Sequence, residues 1–100
     1  MRDHRQHPRK SLQSQVTFQL DGGPQVEATC RDISLGGMFI ETATPAPFGA
    51  AVTVYLPLPG MHGAAIRGTV RWTKPEGMGV QFGMMGARET HALTKLLGTI

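Results

Sequence analysis

The chain has 100 residues, 40% of them hydrophobic and 17% charged, with a formal net charge of +3; this describes one small globular domain and excludes a two-domain enzyme or an intrinsically disordered chain. Thirteen glycines and seven prolines favour many turns over long helices, and the single cysteine, Cys30, excludes an internal disulfide or a Cys-x-x-Cys zinc site. No stretch reaches the roughly 18 consecutive apolar residues of a membrane span, and the polar start lacks the apolar segment of a secretory signal, so the chain reads as cytoplasmic.

The first ten residues hold Arg2, Arg5, Arg9 and Lys10 against Asp3, whereas the rest of the chain is neutral. Residues 1–12 therefore read as a flexible basic arm, suited to an anionic partner or simply solvated. From Ser14 to Leu20, Val16, Phe18 and Leu20 alternate with polar residues, the period of a strand with one buried face. Asp21-Gly22-Gly23-Pro24 turns the chain into a second strand with Val26, Ala28 and Cys30 inward, and the pair forms a hairpin. Cys30 is then a buried, inert thiol, with no adjacent His or Lys to lower its pKa.

After Gly36-Gly37, Met38 to Thr42 predicts a short third strand, ended by Pro45 and Pro47. Val52, Val54, Leu56 and Leu58 alternate along a fourth, and Pro57 to Gly63 predicts a turning loop. Ile66, Val70 and Trp72 define one face of a fifth strand, in which Gly68 predicts a bulge or tight bend. Lys74-Pro75-Glu76-Gly77 turns into a sixth, Met78 to Gly83, with Met78, Val80 and Phe82 on one face. Leu93, Leu96, Leu97 and Ile100 stand at helical spacing and predict a short C-terminal helix over residues 86–100 that packs on the strands. Six short antiparallel strands joined by turns predict an all-β fold: a six-stranded antiparallel barrel over residues 13–85, closed by that helix.

Catalysis finds few candidates. Asp32 and Ser34 have no histidine near them in sequence, no Gly-x-Ser-x-Gly elbow exists, and the carboxylates are scattered singly, so no enzyme is expected. His4, His7, His62 and His91 are dispersed, so no metal site or other cofactor is expected. Gly77 and Gly79 open a G-x-G pattern that introduces a strand instead of a helix, which fails the dinucleotide fingerprint.

Two constellations remain. Arg5 and Arg9 stand four apart around Pro8, and Asp32-Ile33-Ser34-Leu35-Gly36-Gly37 has D-x-S-x-x-G spacing where a strand gives way to a loop. Taken singly, the first is ordinarily solvated charge, and the second a turn in which Asp or Ser caps its own backbone and Gly supplies positive φ. Together they suit a guanine nucleotide. Arginine forks engage guanine O6 and N7 or a phosphate and can stack on the purine, while a carboxylate or hydroxyl accepts from N1 and N2. At Gly37 the missing Cβ permits close approach of ligand or backbone.

R-x-x-x-R near the start, then D-x-S-x-x-G, then Gly68-Thr69-Val70-Arg71-Trp72 and Gly77-Met78-Gly79-Val80-Gln81-Phe82 resemble, in that order, the PilZ domain, and the resemblance covers nearly the whole chain. It implies a bacterial receptor for the second messenger cyclic di-GMP. By position, Arg5 and Arg9 contact guanine and phosphate, and Asp32, Ser34 and Gly37 form the pocket segment. Trp72 matches a position where some members place an aromatic against a base; otherwise it is a core residue on the Ile66, Val70 face. Arg31 and Arg71 point away from the inward faces and are within reach of a ligand outside the barrel. His4 stands where many members carry a further arginine, in a neighbourhood that helps decide whether one ligand or a stacked pair binds. With no catalytic or DNA-reading module, output passes to an unidentified protein partner through ordering of the arm. Two rivals are a PilZ-like adaptor that binds no ligand and a small single-stranded nucleic-acid binder. The second is disfavoured by a neutral body and 6% aromatic content, and no nucleic-acid partner is expected.

Overall fold

The computed structural model describes residues 10–100; Arg5, Arg9 and His4 lie outside them. Six strands run in order, β1 (Lys10–Leu20), β2 (Gln25–Ile33), β3 (Gly37–Glu41), β4 (Ala51–Leu58), β5 (Met61–Lys74) and β6 (Gly77–Phe82), followed by helix α1 (Ala87–Thr99). Every neighbouring pair is antiparallel, and the sheet closes as β1-β2-β3-β6-β5-β4 into a barrel, which leaves no open edge to recruit other strands.

The interior follows from the alternation. Val16 and Phe18 of β1, Val52, Val54, Leu56 and Leu58 of β4, and Met78 and Val80 of β6 all point inward and are buried, as is Cys30. The intervening Thr17, Thr53 and Tyr55 face outward, where Tyr55 Oη donates to Gln19 Oε1 at 3.2 Å. One barrel end is covered by α1, which packs on β4 and β5 and buries Leu93 and Ala92. Leu96 and Leu97 are only partly buried and Ile100 is exposed, so the helical stripe reaches the core through its first turns. At the other end the β3–β4 connection inserts Ala46, whose N–H donates to Met78 Sδ at 3.3 Å.

Three local expectations are corrected. β1 begins at Lys10, four residues before the alternation starts, because Lys10 and Ser11 pair with Ile33 and Asp32 across an irregular register. The loop expected at 57–63 contracts to a tight turn at Pro59-Gly60, with Gly60 at φ +76°. No bulge falls at Gly68. That glycine serves close strand approach, since a Cβ there would lie 2.6 Å from Val80 Cγ1 and 2.8 Å from the Gln81 carbonyl oxygen. The bulge of β5 comes later, between Val70 and Trp72, and it removes Trp72 from the Ile66, Val70 face.

Candidate functional site

Two bulges shape the outer surface. In β2 the pairing shifts between Cys30 and Asp32, so two residues instead of one separate the buried Cys30 and Ile33. Arg31 is consequently exposed and Asp32 partly exposed on the outer side. In β5 the shift after Val70 likewise leaves Arg71 exposed and turns Trp72 outward, where it is 39% exposed. The pairing that the bulges set puts Asp32 opposite Phe39, Phe39 opposite Gly79, and Gly79 opposite Trp72. One row therefore crosses β2, β3, β6 and β5 with Asp32 at one end and Trp72 at the other. Three inter-strand steps make that span about 14 Å.

The middle of the row is aromatic because Gly79 has no side chain. Phe39 and Trp72 close over it and stack, ring centroids 5.2 Å apart and planes 15° from parallel. A Cβ on Gly79 would collide with Trp72 Nε1 and Cε2, and one on Gly77 would come within 2.6 Å of Phe39 Cζ. Cations border the pair. The Arg31 guanidinium lies 5.6 Å from the Phe39 centroid and 3.9 Å from Glu41 Oε2, and Lys74 Nζ lies 5.1 Å from the centroid of Trp72. Gly79→Ala is expected to push the indole off this seat and shift the fluorescence of the chain's single tryptophan to the red, with the barrel intact because Trp72 lies outside its core. Unchanged emission would contradict the packing described.

At the other end of the row, Ser34 to Gly37 form the β2–β3 turn. Ser34 N–H donates to the Gly37 carbonyl at 2.8 Å, the Ser34 hydroxyl accepts from Gly36 N–H at 3.1 Å and donates to the Gly37 carbonyl at 3.4 Å, and Ser34 is 5% exposed. Its hydroxyl is thus directed into its own turn. Gly37 does not supply positive φ, which among the described residues occurs at Gly22, Gly49 and Gly60. It supplies space, because a Cβ there would overlap the Val80 carbonyl oxygen of β6.

Of the residues singled out in the sequence, Asp32, Trp72 and Arg31 thus share the outer face of the β2-β3-β6-β5 wall, with the Ser34–Gly37 turn at its border and Arg71 exposed at the bulge. Phe39 and Lys74 were not singled out. The available signal was the uninterrupted apolar run Met38-Phe39-Ile40, which an alternating strand does not need unless its outer face is also covered. Lys10, the first described residue, lies next to this segment: it pairs with Ile33, and its ammonium donates to the Ile100 carbonyl at 3.3 Å.

The PilZ domain family model matches residues 3–98. No curated protein sequence matches the chain. Among solved structures, the PilZ domain of CeSA from a cellulose-synthesizing bacterium is similar at a TM-score of 0.74 and 16% identity, over 89% of this chain and 93% of that one. The inhibitor of motility MotI/DgrA of Bacillus subtilis matches at 0.72 and 23% identity over 94% of this chain, and MrkH of K. pneumonia, in its complex with c-di-GMP, at 0.74 and 18% over 95%. The chain spans about half of each of these two proteins, 49% and 50%. At these identities the likeness is one of fold.

Proposed function

The chain belongs to the PilZ domain family, a family of cyclic di-GMP receptor domains, and from that premise we propose that it binds cyclic di-GMP on the outer face of the β2-β3-β6-β5 wall. The observation that carries this reading is the row from Asp32 to Trp72. Its length of about 14 Å suits a ligand with two bases and two phosphates, and Trp72, 39% exposed above the buried Phe39, offers a purine a surface on which to stack. Asp32 accepts from guanine N1 and N2, Trp72 faces a base, and Arg31 and Arg71 face phosphates or base edges. The Ser34–Gly37 turn shapes the border. On this reading Arg5 and Arg9 close the site from the sequence just before Lys10, which pairs with Ile33, and His4 adds charge when protonated.

Output follows from order. Ligand that bridges the arm and the Asp32 segment makes one surface of two, and a protein partner reads the closed form. Amide exchange with and without cyclic di-GMP tests this coupling: slowed exchange is expected in residues 2–10 and 32–37 together, and exchange unchanged in the arm of a ligand-saturated protein would overturn it. The Ser34 hydroxyl, satisfied within its own turn, favours a second reading in which the segment is structural and the domain is an adaptor that binds no ligand. No helix among the described residues is long and apolar enough to cross a membrane.

A further inference from the structure

The cations beside the aromatic pair are held differently. Arg31 lies over Phe39 and is also paired with Glu41, whereas among the described residues no carboxylate lies within ion-pair distance of Lys74. Lys74 has the face of Trp72. It stands two residues beyond Trp72 on the outward side of β5, and it is paired with Gly77, which puts no side chain beside it. The ammonium therefore sits on the ring that, on the reading above, receives a base.

We propose that Lys74 is a phosphate-contacting residue of this site, held over Trp72 in the free protein and transferred to the ligand when a base takes the ring. The inference rests on the receptor reading and deepens it. An ammonium and a purine compete for the same indole, so stacking displaces the cation. A displaced ammonium on a flexible four-carbon stem either returns to water or meets an anionic oxygen close by, and a charge-assisted bond to phosphate exceeds an exposed cation–π contact. The stored position keeps the ammonium within one side-chain swing of its target. A purine that carries phosphate thereby recovers the contact it breaks, and an unphosphorylated one does not.

The test measures cyclic di-GMP affinity of the full chain across a range of salt for wild type, Lys74→Met and Lys74→Arg. Lys74→Met preserves the length of the stem and removes the charge at an exposed position, so folding is expected to be unaffected. Lys74→Met is expected to bind about three- to tenfold more weakly at low salt, with the slope of affinity against salt reduced because one screened charge–charge contact is gone, and Lys74→Arg is expected to restore both. If Lys74→Met binds as tightly as wild type or more tightly, Lys74 only covers the ring and the proposal is overturned. Weaker binding with an unchanged salt slope would also overturn it, since that is what lost packing alone produces. A folded wild type that does not bind cyclic di-GMP overturns the receptor reading itself, and this inference with it.

Discussion

Arg9→Ala is expected to weaken cyclic di-GMP binding by well over tenfold while leaving the fold intact. Arg9 immediately precedes Lys10, which is paired with Ile33 inside the D-x-S-x-x-G segment, and on the receptor reading it is the second arginine of R-x-x-x-R that contacts the ligand. A guanidinium fork on guanine or phosphate makes charge-assisted, often bidentate bonds. Removing one partner of such a desolvated pair costs about 2 to 5 kcal/mol, because the other is left without a match. Titration calorimetry on Arg9→Ala and wild type measures the loss directly. Equal affinities would place the arm outside the binding site and leave the Asp32 wall to account for the whole interaction.

Gly37→Ala is expected to be, with Gly77→Ala, among the most damaging single-methyl changes in the barrel. The added Cβ would overlap a backbone oxygen, that of Val80, at the point where β3 pairs with β6. A side chain in the way can rotate, whereas a strand in a closed barrel can yield only by distorting the ladder on both sides. Overpacking of this kind sits at the upper end of its usual range, about 3 kcal/mol. For a domain of this size that corresponds to about 12 to 24 °C in Tm. Thermal unfolding followed by circular dichroism checks it, and a Tm within 2 or 3 °C of wild type would show that β3 and β6 are not so tightly apposed. Ligand binding is expected to fall along with stability, since the same turn carries Ser34 and borders Asp32.

The barrel was legible because β1, β4 and β6 alternate cleanly, and a period of two can bury only one face of a strand. The helix was legible because Leu93, Leu96 and Leu97 change that period. The bulges were not. Whether Asp32 or Trp72 faces in or out depends on where a partner strand slips by one residue, and nothing local in Thr29-Cys30-Arg31-Asp32 or Thr69-Val70-Arg71-Trp72 states that slip. Trp72 therefore read equally as a core residue or a ligand contact, and only its pairing with Gly79 turned it outward. Gly68 attracted the bulge reading because glycine permits several roles, of which close approach to Val80 and Gln81 was the one taken. Gly37 shows the same ambiguity, since a turn suggests positive φ and the structure uses the missing Cβ instead. Asp32, Ser34 and Gly37 were singled out by their D-x-S-x-x-G spacing and the family resemblance it carries, not by any local structural signal. Phe39 and Lys74 were not singled out because what places them on this row is their cross-strand neighbours, Gly77 and Gly79, which no sequence window sets beside them.

The central claim is that this barrel is a cyclic di-GMP receptor, and calorimetric titration of the purified chain with cyclic di-GMP, alongside GTP, cyclic GMP and a short single-stranded oligonucleotide, tests it most directly. Saturable binding of cyclic di-GMP alone is predicted, with a stoichiometry that distinguishes one ligand from a stacked pair. No heat at high micromolar ligand, from protein shown to be folded, would contradict the claim and leave the motifs as structural elements of a protein-binding domain.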